Sequence, residues 1–391
     1  MSWDDVMTWV PLLTEPERHW QEVAEDLTRD RFAPRAAEVD SSGDYPWDHV
    51  EALTESGLTG LMLPVVHGGR AEALTTGVAV AETIGRVCPS TCTVWSSYAI
   101  GALPVLHAGT DAQRDRYLTE VVAGRAIGFA LTERHTGSDP SSVKTTAVRS
   151  GGGWRVTGEK WLVGNGGAAS FYTVFARDDV TAKLTAFLLE ADSDGLVVDD
   201  YQDKMGLRGT TTSNLRIDCT VSDDRRLGEL GRGLSLGLRA LNTGRVLAAA
   251  MACGMAEAAF GEAARRAVSR ESFGGALIDH QGIGFRLADV ATEISAARMM
   301  TWEAARSNRG SGPDRTASSM AKVYATEVAH RAVDAAVQVL GAEGYAKPHP
   351  VERLYRDQRV LEIYEGSSEM QRMGIARAIA AHHRGAPTAT T

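Results

Sequence analysis

A carboxylate set on a turn just ahead of a helix is the arrangement in this chain with the clearest capacity for chemistry. It lies in Leu361-Glu-Ile-Tyr-Glu-Gly-Ser-Ser-Glu-Met-Gln371, where Glu365 is followed by Gly366. Ser368 and Gln371 have the spacing of a capping box, which predicts a helix starting there. Glycine after the acid lets the backbone turn sharply. A carboxylate presented from such a turn, beside the apolar Ile363 and Tyr364, can take a proton from a molecule lying against it. On these residues alone, a solvated acid at a helix start is the better reading, so the rest of the chain decides.

The elements that must hold this turn fall into three textures. With 391 residues the chain is too long for one small core, and its 43% hydrophobic and 23% charged content is ordinary for a soluble globular protein. The first third reads as helical. Thr14 with Glu17 makes a capping box, and the helix it opens runs toward Asp40, with Pro34 placed to bend or end it. Further helices are predicted at about residues 47–56, 72–87, 90–106 and 114–123, the last preceded by the capping pair Thr110 and Gln113. Short β-branched and aromatic runs then take over between Ile127 and about Leu227, at 145–149, 154–157, 171–175, 184–189 and 214–219, with Gly151-Gly152-Gly153 as a hairpin connection. Long helices return from about Leu230. The alanine-rich residues 246–259 are apolar almost all round and predict burial between helices. Ile283, Leu287, Val290, Ile294 and Ala297 form a helical stripe, and further helices are predicted at 316–340 and 368–382. The divisions are therefore 1–126, helical; 127–227, β; and 228–391, a helical bundle with a disordered tail after about 385.

A formal charge of −9 argues against a nucleic-acid binder. The acidic N-terminus lacks the pattern of a signal peptide, and the longest apolar run, residues 246–256, is too short for a membrane span. A cytoplasmic location is expected, with no membrane or nucleic-acid partner. Cys88, Cys92, Cys219 and Cys253 form no CxxC pattern and read as reduced core residues, and neither cysteines nor histidines have metal-ligand spacing. His135, alone on a loop, reads as a polar surface residue.

Several separated stretches agree on one family. Ala130-Leu-Thr-Glu-Arg-His-Thr-Gly-Ser-Asp139, Lys204-Met-Gly-Leu-Arg-Gly-Thr-Thr-Thr212, Arg270-Glu-Ser-Phe-Gly-Gly275, His280-Gln281, Gln338-Val-Leu-Gly-Ala-Glu-Gly-Tyr345, Pro350-Val-Glu-Arg-Leu-Tyr-Arg-Asp357 and Tyr364-Glu-Gly-Ser-Ser-Glu-Met-Gln-Arg372 occur in the family's order. Together they resemble the acyl-CoA dehydrogenase family over nearly the whole chain. The resemblance implies a mainly α fold with a central β domain: an N-terminal helical domain, a middle β-barrel and a C-terminal four-helix bundle. It also implies a homotetramer or homodimer, FAD as cofactor, and oxidation of an acyl thioester to its α,β-enoyl form. Glu365 is then the base, aided by hydrogen bonds that stabilise the developing enolate. Electrons would leave to an electron-transfer flavoprotein or to oxygen. The carrier would be coenzyme A or an acyl-carrier protein.

Site residues carry over one at a time. Phe129, Leu131 and Thr132 match the segment touching the isoalloxazine ring, and Ser138 matches a serine contacting both cofactor and substrate. Arg270, Phe273 and Gln281 match residues that reach the FAD of a neighbouring subunit. Gln338, Gly341 and Gly344 match the loop over the adenine end, and Ser367 and Glu369 match positions on the nucleotide. Arg245 matches an arginine near the thioester, while Asn242, Gly244, Tyr364 and Gly366 complete the expected substrate surface. Some branches of the family carry their base at the position of Gly244, which here cannot serve and leaves room for substrate.

Three departures stand out. Leu162-Val163-Gly164 replaces a Trp-Ile/Val-Thr run that packs on the flavin, with Trp161 one place early, so the threonine hydroxyl is lost and the register is open. Asn242 stands where aspartate is usual. Arg134-His135-Thr136 replaces a Pro-Gly-Ala-type run. Glycine at 164 keeps an oxygen-using oxidase open, and a catalytically silent flavin-binding assembly subunit is a further alternative. Trp95 and Tyr98 read as core packing, with a shortened acyl pocket as the other possibility.

Overall fold

Capping chemistry starts the first helices of the computed structural model, which describes residues 11–308 and 312–384. The tail after about 385, expected to be disordered, lies outside the described residues. α1 (Glu15–Leu27) begins at Thr14, where Thr14 and Glu17 satisfy each other's backbone N–H groups. Pro34 bends the chain without stopping it: a wide turn at Thr28–Phe32 and a tight one at Ala33–Arg35 lead into α2 (Ala36–Ser42), which ends at the left-handed Gly43. α3 (Trp47–Glu55), α4 (Leu74–Gly85), α5 (Pro89–Ala108) and α6 (Asp111–Val122) follow. The Thr110–Gln113 capping box is formed, so α6 starts three residues ahead of the predicted position.

The middle of the chain is one eight-stranded sheet. Five of its strands fall on the predicted runs: β2 (Thr146–Ser150), β3 (Gly153–Gly164), β4 (Phe171–Asp178), β5 (Leu184–Glu190) and β7 (Thr212–Ser222). The short β1 (Ile127–Ala130), β6 (Leu196–Val198) and β8 (Arg226–Leu227) gave no period-two signal of their own. The order is β6-β7-β3-β2-β4-β5-β8, with β1 parallel to β4. The β2–β3 hairpin turns through Gly151 and Gly152, both at positive φ, as a two-residue connection requires.

The C-terminal part is built on α7 (Gly233–Ser269), which packs against α8 (Gln281–Arg306) and α9 (Arg315–Leu340), with α10 (Ala342–Tyr345), α11 (Pro350–Gln358) and α12 (Ser368–His383) closing over α9. A hairpin of β9 (Glu271–Ser272) and β10 (Gly275–Ala276) follows α7. By length and composition α7 could cross a membrane, with a mean hydropathy of 1.3 over its most apolar window, which corrects the expectation drawn from uninterrupted apolar runs. Its burial explains that composition: 83% of the window lies inside the fold, between α4, α5, α8 and α9. All four cysteines are free and buried.

Two glycines let α4 and α7 approach closely. A Cβ on Gly254 would sit 2.1 Å from the Glu82 carbonyl oxygen, and one on Gly85 would sit 3.0 Å from the Cα of Met251. The same crossing carries a buried ion pair, Glu82 of α4 with Arg298 of α8 at 2.5 Å. Gly254→Ala is expected to force the two helices apart and destabilise the fold by about 1–3 kcal/mol, read as a lowered midpoint in thermal or denaturant unfolding.

Candidate active site

Two successive residues in the left-handed region, Glu365 (φ +54) and Gly366 (φ +87), form the turn between a short 3-10 segment (Arg359–Glu362) and α12. Glycine adopts that geometry freely, whereas glutamate resists it by about 1–2 kcal/mol. Side chains from three helices hold the turn by its carbonyls. Glu365 O accepts from Arg245 Nε (3.1 Å) and Gln371 Nε2 (3.2 Å); Gly366 O accepts from Gln371 Nε2 (2.7 Å) and Lys322 Nζ (2.9 Å). The predicted capping box is therefore not formed. Ser367 is the residue before α12, the Ser368 side chain is buried beside Glu327, and the Gln371 amide reaches past the cap to carbonyls that the left-handed turn leaves without a helical donor.

Glu365 is half-buried as a residue, yet its Oε2 is sealed from solvent and accepts no hydrogen bond. Burial pushes its pKa up to about 7, against the opposing pull of Arg245 and Lys322. Gly244 of α7 faces it: a Cβ there would lie 2.8 Å from Oε2 and 3.0 Å from Ile100 Cδ1 of α5, so any side chain at 244 would push on the carboxyl. Arg245 donates its NH1 to Asn242 Oδ1 at 2.8 Å, and burial lowers it only to about 10, so it stays cationic at neutral pH. Tyr364 is half-buried, with its hydroxyl bonded to Thr93 of α5. Thus Glu365, Gly366, Tyr364, Asn242, Gly244 and Arg245 form one cluster.

Lys322 belongs to the same cluster and was missed in the sequence reading. It is fully buried, and its helical neighbours Ser318, Ser319, Ala325 and Thr326 are buried with it. A single cation on a face of small residues at spacings of three and four was the available signal.

The expected cofactor residues divide into two groups. The ends of β1 and β3 bring Phe129, Leu131, Thr132, Leu162 and Gly164 together: Trp161 N donates to Thr132 O (2.8 Å), and the buried Lys160 donates to Leu131 O (3.1 Å) and to Glu133 (3.0 Å). Although burial alone would raise it, Glu133 is held down to about 2 by bonds from Thr145 and Lys144 and by the charge of Lys160. The register question has a definite answer. β3 is irregular between Lys160 and Val163, Leu162 takes φ +54, and its N–H donates to Asn214 Oδ1 (3.2 Å). Leu162 consequently stands 41% exposed at the sheet end, while Trp161 turns toward Arg134, whose guanidinium lies 5.4 Å from its ring. Gly164 lies near α5, where a side chain would find only Ser97 Oγ, 3.7 Å away. Ser138 is exposed on the loop beyond Glu133, and His135 is partly exposed 3.5 Å from the Glu133 carboxylate. Ser367 and Glu369 sit at the start of α12, their side chains bonded to each other.

The second group lies elsewhere. Arg270, Phe273 and Gln281 are exposed beyond the far end of α7, which rises about 38 Å between Gly244 and Ser269. Phe273 is 97% exposed at the hairpin tip. Gln338, Gly341 and Gly344 close α9 at that same end, where Glu343 pairs with Arg266 (3.0 Å). Trp95 and Tyr98 are committed to the core, donating to the carbonyls of Leu58 (2.8 Å) and Gly124 (2.8 Å).

The first group fits a flavin: an exposed apolar side chain and half-buried Thr132 at one sheet end, reached across α5 from a carboxyl with an unpartnered oxygen. Comparison with known proteins agrees. Family models described as acyl-CoA dehydrogenase N-terminal, middle and C-terminal domains match residues 14–125, 128–220 and 231–380. An acyl-CoA dehydrogenase of Bacillus subtilis is 35% identical over 93% of this chain and 98% of its own. Among solved structures, butyryl-CoA dehydrogenase from Megasphaera elsdenii superposes with a TM-score of 0.91 at 32% identity, over 95% of this chain and all of that one. A prolyl acyl carrier protein oxidase superposes with a TM-score of 0.90 at 26% identity, over 94% and 99% of the two chains. The chain belongs to the acyl-CoA dehydrogenase family, FAD-dependent oxidoreductases that dehydrogenate acyl thioesters.

Proposed function

We propose that Glu365 removes the α-proton of an acyl thioester carried on coenzyme A, and that the β-hydrogen leaves as hydride. The observation that supports this most directly is the sealed, unpartnered Oε2 of a carboxyl whose pKa is raised to about 7. Such a group is ionised in useful proportion at neutral pH and still basic enough to hold a proton. FAD, when bound, accepts the hydride. Leu131, Thr132, Leu162 and Gly164 at the sheet end would hold its ring. The bare backbone at Gly244 makes room for the Glu365 carboxyl itself, and Arg245 keeps the turn in place by its bond to Glu365 O. The backbone N–H of Glu365 would then donate to the thioester oxygen, where negative charge develops.

The distance of Arg270, Phe273 and Gln281 from Glu365 supports an oligomer in which this exposed end serves the cofactor of a second copy. We take an electron-transfer flavoprotein as the acceptor. The second reading, re-oxidation by oxygen, is favoured by the bare backbone at Gly164 and by the likeness to the carrier-protein oxidase.

Purified protein is expected to be yellow and to bleach anaerobically with acyl-CoA. Glu365→Gln should keep the flavin absorbance and lose bleaching by a factor of about 10³ or more; retained bleaching would move the base elsewhere. Gly244→Ala is expected to crowd the carboxyl and cut turnover by about tenfold or more with little change in flavin content. Re-oxidation of the bleached enzyme in air, followed by absorbance, should take minutes for a dehydrogenase; completion within seconds would favour the oxidase.

A further inference from the structure

The turn at Glu365 and Gly366 is clamped by three donors, of which the proposed mechanism gives a part to Arg245 alone. Gln371 is neutral and touches both carbonyls. Lys322 is different: its ammonium is fully buried, and it donates to a carbonyl, Gly366 O at 2.9 Å. A buried ammonium is costly unless opposite charge lies near it. The carboxyl of Glu365 supplies that charge, and each group acts on the titration of the other. This chain has six lysines, and only Lys160, paired with Glu133, is buried to the same degree.

We propose that Lys322 is a positioning residue for the base. Its bond to Gly366 O locks the left-handed turn, and its charge favours the ionised form of the neighbouring carboxyl. This rests on the reading of Glu365 as the base. The titratable groups around the pair are Arg245 on α7, Arg315 and Glu327 on α9, Glu362 and the neutral Tyr364 ahead of the turn, and Glu369 and Arg372 on α12. Glu327 is paired with Arg372 (2.7 Å) and Glu362 with His330 (2.8 Å). The cations that pull the Glu365 titration down are Arg245 and Lys322. Burial lowers Lys322 itself to about 8, so its charge is present below that pH and lost above it.

The pH profile separates this from a merely structural role. In the wild type, kcat/KM should rise with pH through about 7, as the base loses its proton. In Lys322→Met the same limb should move up by about one pH unit, the size expected for removing one nearby opposite charge. Lys322→Gln, which keeps a donor for Gly366 O but no charge, should shift it equally, and Lys322→Arg should return it to the wild-type position. Gln371→Met, which breaks the clamp without touching charge, should lower kcat and leave the limb in place. A readout without turnover is available in the thermal midpoint. The Glu365 pKa is raised on folding, so its ionisation costs stability: wild type should fall behind Glu365→Gln as pH rises from about 4.5 to 7. In a Lys322→Met background that divergence should extend to higher pH. FAD-loaded Lys322→Met and Lys322→Gln with unmoved limbs would overturn the proposal. Failure of the base reading would show separately, as turnover retained in Glu365→Gln.

Discussion

Backbone carbonyls that a helix cannot satisfy govern this site. A glutamate and a glycine in the left-handed region turn their oxygens away from any regular ladder, and buried polar groups must find partners elsewhere. Arg245, Lys322 and Gln371 supply them from α7, α9 and α12, so the position of the acid is set by how three helices pack. The carboxyl oxygen is left with no bond of its own. Strain at the backbone and want of a partner at the side chain occur in adjacent atoms of one residue, the combination expected where a reactive group is held ready.

Asn242 gains meaning in this setting. An aspartate there would set a carboxylate against Arg245, whereas the amide oxygen orients the guanidinium at 2.8 Å and leaves its charge uncancelled. That charge is then felt by Glu365, where burial and two cations oppose each other and settle near neutrality. The departure from the usual residue thus alters the electrostatics around the Glu365 carboxyl while the guanidinium keeps its hold on the turn.

Much of this was legible in the residues. The caps at Thr14 and Thr110, the glycine hairpin, the long strands and the stripe of α8 were all read from periodicity and turn chemistry, because each depends on neighbours close in sequence. Glu365 itself was identified from its local setting together with the family's motifs. What escaped depended on tertiary contacts. Ser368 and Gln371 had capping-box spacing, but the carbonyls of the left-handed turn drew the amide away. Leu162 could not be assigned a face until the irregularity in β3 was known, since one extra residue reverses every side chain after it. The three shortest strands of the eight-stranded sheet are held by their partners more than by their own composition, and α7 hid its length as an apolar helix behind scattered arginines and serines.

Helix α7 carries Gly237 under Phe175, Gly244 beside Glu365, Arg245 on the turn and Gly254 against α4, each on a face that must point a particular way. Adding one residue to an α-helix rotates everything beyond it by about 100° and advances it by about 1.5 Å. No single-residue insertion or deletion between Gly237 and Gly254 can keep all four in place. A loop can change length without turning these groups away from their partners, while this stretch of helix is fixed in phase, a ruler whose marks cannot be moved one at a time.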